Sequence, residues 1–323
     1  GAGEGPGEFG APRSLTVLPD GSVAVFDLSK RGFALFQSDG AFLRTVPLVE
    51  GFETMPGREV LALPSGDAIA VGATVMTVDR GGPRVGGDSS GRPVYRYSLE
   101  DGSADLLFRG WKPSAPEVNS TLSAGGGMRA VIHAGSGKRA FDAELHIGVL
   151  PDGTVAVVDS VTYEVKMVGR EGALARVLCR PIPPRRVTGD DKERERARRL
   201  EARESGDRPA VAVSGGGTTR LIRGGQASEL MKGSIEDLEF AEEIPVVQDL
   251  TVDWEGRIWV ERFGGVGERG PIDILTGGGT YLGSLRPDDI RMPAAFGPDG
   301  WVAFMEKDEL DVPRVEVKRV TLG

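Results

Sequence analysis

Apolar residues in this chain come in short runs with a period of two, broken by Asp-Gly or Gly-rich turns, which is the pattern of strands and hairpins. One phrase recurs: an apolar stretch, a tight turn and a second apolar stretch. It reads LTVLPDGSVAVFD at 15–27 and IGVLPDGTVAVVD at 147–159, with looser copies VLALPSGDAIAVG at 60–72, LTVDWEGRIWVER at 250–262 and AAFGPDGWVAFME at 294–306. Gly21, Gly66, Gly153, Gly256 and Gly300 set the five copies in register. Asp-Gly tolerates the positive φ of a hairpin turn, and the flanking Val, Ile, Ala and Trp suit strands packed on both faces.

A second hairpin follows the phrase in four copies. It is FALF (33–36) with AFLRTV (41–46), VYRYS (94–98) with ADLLF (104–108), EVKMV (164–168) with ALARVL (173–178), and IDIL (272–275) with TYLGSL (280–285). Four short strands per repeat describe a propeller blade. The fold class is therefore all-β, a β-propeller with blades expected over 12–47, 58–108, 144–178, 245–285 and 292–320, the chain forming a single domain over 1–323. The segment 3–46 resembles an NHL repeat, with a glycine-rich lead-in ending in phenylalanine (Gly5, Gly7, Phe9), the turn Asp20-Gly21, Asp27 after the second strand, and Phe36 before Asp39-Gly40. The resemblance is good here and over 147–178 and loose elsewhere. It is nearest to six-bladed propellers of bacterial envelopes, and implies a six-bladed ring whose first blade and closing strand lie outside residues 1–323. The competing reading places further blades in the long gaps Gly66–Gly153 and Gly153–Gly256.

Two stretches interrupt the repeat. Residues 109–143 read as a glycine-rich loop with MRAVIHAG paired to KRAF. Residues 188–243 read as a helix-containing insertion between blades. In it Thr188 and Asp191 form a capping box, with Asp in place of the usual Glu, ahead of a solvated, mixed-charge helix over 190–204. A hairpin at 210–222 and a second helix at 234–243 complete the insertion.

Composition narrows the function. The 323 residues carry a net charge of −9, which disfavours nonspecific nucleic-acid binding. No apolar run approaches the roughly 18 residues of a membrane helix. The resemblance to envelope proteins implies a periplasmic or extracellular monomer, lipid-anchored in one version through upstream sequence. Cys179 is the single cysteine, read as a small buried hydrophobe. Two histidines, His133 and His146, are too few for a three-histidine zinc site, which disfavours the zinc-dependent lyases of this fold. No Gly-x-Ser-x-Gly supports a serine nucleophile, and GAGEGP lacks the strand-to-helix context of a dinucleotide fingerprint.

Repeat register gives the best handle on a site. The residues just before each first strand converge on one mouth of a propeller channel: Arg13-Ser14, Arg58-Glu59, Leu145-His146, Gln248-Asp249 and Met292-Pro293. The loops after each second strand, starting at Asp27, Gly72, Asp159, Arg262 and Glu306, reach the same face. Arg13, Arg58, Glu59, His146, Gln248, Asp249 and Arg262 are the candidate ligand-binding residues, because ligand sites favour concave places where polar groups converge. The bland reading is that they satisfy backbone ends and bind channel water. The first functional reading is a binding propeller for a peptide, glycan or small molecule, with no cofactor and no catalytic residues. The alternative is a lactonase-like hydrolase with calcium held by Glu59 and Asp249, Gln248 assisting.

Overall fold

The computed structural model describes residues 3, 5–49, 54–72, 75–79, 82–86, 91–113, 120–124, 128–132, 139–204, 211–215, 218–222, 235, 238–309 and 312–321. Five antiparallel blades are arranged in a propeller ring. Blade 1 is Pro12–Val17, Val23–Asp27, Gly32–Phe36 and Phe42–Pro47. Blade 2 is Pro56–Ala62, Ala68–Gly72, Arg92–Tyr97 and Ala104–Gly110. Blade 3 is His146–Val149, Val155–Val158, Glu164–Val168 and Leu174–Cys179. Blade 4 is Val247–Val252, Arg257–Arg262, Ile272–Thr276 and Tyr281–Leu285. Blade 5 has three strands among the described residues, Ala295–Phe296, Trp301–Lys307 and Pro313–Arg319. All five repeat glycines have positive φ, between 76° and 90°, as the Asp-Gly, Ser-Gly and Glu-Gly turns require.

The core lies between blades, since a strand with two apolar faces must bury both. At each of the four boundaries between consecutive blades, one face of a repeat packs on the facing side of the next. Leu18, Ala24, Phe26, Phe33 and Leu35 of blade 1 pack on Val60, Ala68 and Ala70 of blade 2. Leu63, Ile69 and Val94 of blade 2 pack on Ile147, Val155 and Val157 of blade 3. Leu150, Ala156, Val158, Val165 and Met167 meet Leu250, Ile258 and Val260 of blade 4. Trp259, Ile272 and Ile274 meet Phe296 and Val320. First strands of neighbouring blades come close enough that Val60 N donates to Ser14 Oγ at 3.0 Å. A Cβ added at Gly148 would stand 2.7 Å from Val252 Cγ2, so the absent side chain lets blade 4 close on blade 3.

The aspartates after the second strands hold the framework. Asp27 is wholly buried and accepts from the amides of Gly10 (2.8 Å), Ala11 (3.1 Å) and Ser29 (2.8 Å). Asp159 accepts from the Trp111 amide at 2.6 Å and from Lys166 Nζ at 2.7 Å.

Several expectations need correction. The Gly66–Gly153 gap holds blade 2, interrupted by a hairpin (Val75–Asp79 with Gly82–Gly86), and a separate hairpin. That second hairpin pairs Ser120–Ala124 with Met128–Ile132 across the triple glycine, while Ala140 of KRAF bridges Phe240 instead. The hairpin Val211–Gly215 with Thr218–Ile222 forms as expected. Of the second helix, Ile235 is helical and buried as expected, but the helix does not continue over 238–243, where Phe240 bridges Ala140 and Glu243–Ile244 pairs with Arg185–Arg186. Residues 234, 236 and 237 of that expectation, and His133, lie outside the described residues. Cys179 is exposed, because it ends an outer strand that faces solvent.

The helix runs Gly189–Glu204 and starts with the reciprocal cap, Thr188 N donating to Asp191 Oδ2 (2.8 Å) and Asp191 N to Thr188 Oγ1 (3.3 Å). It is not solvated all round. Asp191 and Glu195, one turn apart, are buried, while Ala197 and Leu200 face outward. A charged face turns inward because each carboxylate meets arginine: Arg185 is bidentate to Asp191 (2.7 and 2.9 Å), and Arg198 and Arg199 both donate to Glu195.

Candidate functional site

In three of the blades the mouth residues sit where strand pairing is irregular, whereas His146 of blade 3 pairs regularly with Val158. The ladder of blade 1 shifts between Pro12 and Ser14, that of blade 2 between Pro56 and Val60, and that of blade 4 between Val247 and Asp249. The shifts fall on Arg13, on Arg58 and Glu59, and on Gln248. Bulges re-aim side chains and concentrate beside binding sites.

At the centre, His146 Nδ1 stands 3.2 Å from Asp249 Oδ1, joining the first strands of blades 3 and 4. Glu59 from blade 2 faces the same pair. Burial, then the charge of Asp249, raises the pKa of Glu59 above the ordinary carboxylate value, with His146 acting in the opposite sense. The Glu59 side chain nevertheless keeps contact with solvent. Glu261, paired with Asp249 across blade 4, is raised as well, by burial foremost.

The sign of the Glu59 shift gives a prediction. A carboxyl raised in the folded state penalises folding while it is ionised, and the penalty fades as pH falls through the raised value to the unfolded one, 4.5. Glu59→Gln is therefore expected to raise Tm slightly at pH 7 and to leave it unchanged at pH 4, measured by thermal melts. A gain of equal size at both values would show that charge is not the cause.

Above this centre lies a cavity of about 490 Å³. Its floor includes His146, Val247 and Gln248, and the helix supplies Glu195, Arg198 and Arg199. Phe141 and Phe263 form an aromatic wall, with ring centroids 6.3 Å apart and planes at 84°. Phe141 has φ of 66°, a region costly for an aromatic residue, and is held there by surrounding contacts. Arg139, two residues before it, donates from its amide and guanidinium to the buried Asp142. Ala140 is fixed on both sides by the 239–241 backbone. Arg185 anchors the helix start to the same wall, its guanidinium 5.9 Å from the Phe263 centroid.

The structure therefore brings together His146, Gln248, Asp249 and Glu59. Arg13 is exposed on its bulge, and the Arg58 side chain lies outside the described residues. Arg262 is engaged elsewhere, its Nε 3.2 Å from the fully buried Asp273 between blades 3 and 4. Among the described residues no group of three or more His, Cys, Asp and Glu is placed to hold a metal ion. No helix among them is long and apolar enough to cross a membrane.

Arg139, Phe141, Asp142, Arg198, Arg199 and Phe263 were not legible as site residues. Arg139, Phe141 and Asp142 precede blade 3 and Arg198 and Arg199 lie on the inserted helix, all outside the repeat, while Phe263 follows the second strand of blade 4 in a loop whose register marks its start at Arg262 but not which later residue turns inward.

No known protein family matches the chain, and no curated protein does. Solved structures with similar backbones include YCF48 bound to D1 peptide, at 11% identity and TM-score 0.34, covering 90% of this chain. The chain spans 60% of that protein's length. Virginiamycin B lyase from Staphylococcus aureus is similar at 12% identity and TM-score 0.32, with 97% of this chain and 85% of the lyase covered. A glucose dehydrogenase is similar at 15% identity and TM-score 0.36, with 97% of each chain covered. At these identities and scores the likenesses carry nothing about ligand or activity.

Proposed function

We propose that this chain is a binding propeller that seats a segment of peptide or glycan in the helix-covered mouth of its channel. The observation that carries the reading is the cavity itself. Its volume falls within the roughly 300–1,000 Å³ of ligand sites, and it joins an aromatic wall to convergent polar groups. Phe141 and Phe263 offer apolar contact, while His146 and Gln248 offer directional donors and acceptors from rigid strands. Arg198 and Arg199, already oriented by Glu195, can share their remaining donors with a ligand carboxylate or hydroxyl. A location in the bacterial envelope rests on the NHL-like repeat and goes with this reading.

The test is a titration. The tightest binder from an array of oligopeptides and glycans is measured against wild type, a His146→Ala/Gln248→Ala double variant, and Arg170→Ala. Arg170 lies beside the Gly153 turn, at the opposite end of the blade 3 strands from His146. The double variant is expected to bind about tenfold more weakly, each lost hydrogen bond contributing roughly 0.5–1.5 kcal/mol. Arg170→Ala should match wild type. Equal affinity for all three would remove the mouth from consideration.

A further inference from the structure

The charges around the cavity are balanced on one side and not on the other. On the blade 3 side, Arg139 donates to Asp142 from Nε at 3.2 Å and from Nη2 at 3.0 Å. The charges of Asp159, Glu144 and Asp142 all act on the Arg92 guanidinium, and Lys166 Nζ stands 2.7 Å from Asp159. The cations Arg92, Arg139 and Lys166 thus answer the carboxylates Asp142, Glu144 and Asp159. On the helix side one carboxylate serves two arginines. Glu195 Oε1 accepts from Arg198 Nη2 (2.8 Å) and Arg199 Nε (2.7 Å), and Oε2 accepts from Arg198 Nε (2.8 Å). Among the described residues one guanidinium is therefore in excess under the helix. Arg199 spends only Nε on Glu195, so both terminal nitrogens keep donors for another acceptor.

The floor has the opposite sign. Asp249 stands 3.2 Å from His146, and its charge also reaches Glu59 and Glu261, the latter answered by Arg269. An anion entering the cavity is repelled from the strand ends and drawn to the helix. The Arg198 stem lies along the loop that follows Phe263, since a Cβ on Gly267 would be 3.6 Å from Arg198 Cδ. Phe141 and Phe263 meet edge to face, forming a notch that suits an apolar side chain better than the flat face of a sugar. Arg139 and Glu195 already have partners, so a glycan would bring more hydroxyls than the remaining groups can answer. A single excess charge matches a carboxylate, whereas a phosphate, with roughly two, would be left half-balanced.

We infer that the helix side of the cavity, through Arg199, reads a carboxylate of a bound peptide, with an apolar neighbour in the Phe141–Phe263 notch. The inference rests on the reading of the cavity as a binding site and narrows its occupant to a carboxylate-bearing peptide. The carboxylate comes from the C-terminus or from an Asp or Glu side chain.

The probes are the tightest-binding hexapeptides of a random array, each remade as the C-terminal amide and with its Asp and Glu replaced by Asn and Gln. They are titrated against wild type, Arg199→Gln, Arg199→Lys and the His146→Ala/Gln248→Ala double variant. Arg199→Gln leaves Glu195 held by both Arg198 bonds, so folding is expected to survive, and circular dichroism verifies it. For wild type, one neutralised form should bind about tenfold more weakly than its parent, and which form it is identifies the source of the carboxylate. That ratio should fall close to one in Arg199→Gln and stay clearly higher in Arg199→Lys, which keeps the charge. The double variant should weaken parent and neutralised forms alike and keep the ratio. Wild type that binds every neutralised form as tightly as the parent would overturn the inference, as would a ratio undiminished in Arg199→Gln or an array that returns no hexapeptide. If the double variant still weakens binding in such a case, the cavity stands as a binding site and only its carboxylate reading falls. If the double variant also matches wild type, the reading of the mouth falls with it.

Discussion

Asp273→Ala is expected to cost about 3–5 kcal/mol of folding stability, the range for removing one partner from a buried charge cluster. The Asp273 side chain is wholly inaccessible and accepts from Arg180 Nη1 of blade 3 and Ser284 Oγ of blade 4, with Arg262 Nε 3.2 Å away. Two guanidinium groups, each about one-quarter exposed, would lose the carboxylate that balances them. Arg180 also lies over the rings of Tyr163 and Tyr281, at 5.6 and 4.3 Å from their centroids, so it cannot swing to water without leaving both. Burial, then the Asp273 charge, holds the Tyr163 hydroxyl far above the ordinary tyrosine pKa, so it stays neutral. The check is urea denaturation followed by circular dichroism. A loss under about 1 kcal/mol would mean that the arginines re-solvate freely and the cluster is a surface feature.

Trp259→Ala is expected to cost a similar amount, about 3–5 kcal/mol, by opening a cavity at the boundary of blades 4 and 5. Trp259 is 1% exposed, donates from Nε1 to Asp253 Oδ2 at 2.9 Å, and packs its ring 5.1 Å from that of Phe296. The variant should also make residues 295–319 the first site of limited proteolysis, because blade 5 draws its core from this contact. Trp254 is a matched control five residues earlier, 60% exposed, and its replacement by Ala should stay within about 0.5 kcal/mol of wild type. Equal effects at the two positions would contradict the blade register.

Blade register was legible because it is written in residue types with a mechanical requirement. Gly21, Gly66, Gly153, Gly256 and Gly300 each occupy positive φ, and the alternating residues on either side divide between two neighbours. The cap of the helix was legible for the same reason, Thr188 and Asp191 carrying complementary donors and acceptors at a fixed spacing. What failed was the environment of charge. Density of Asp, Glu and Arg reads as a wetted surface, yet Asp191 and Glu195 are buried because Arg185, Arg198 and Arg199 satisfy them locally. Phe240 reads as part of an amphipathic helix, but its bridge to Ala140 and its ring packing on Phe141, 5.9 Å apart, hold it extended. Such tertiary pairing overrides local propensity. Arg262 shared repeat register with the mouth, but Asp273 on the adjacent strand draws it into the blade boundary.

The most direct test of the central claim is hydrogen exchange of the chain with and without the array-selected binder. The account predicts new protection over 139–148, over the helix Gly189–Glu204, over 244–249 and over 263–267, the four segments that enclose the cavity, and unchanged exchange at the Gly21, Gly66 and Gly153 turns. Protection confined to the turn end of the blades would contradict it.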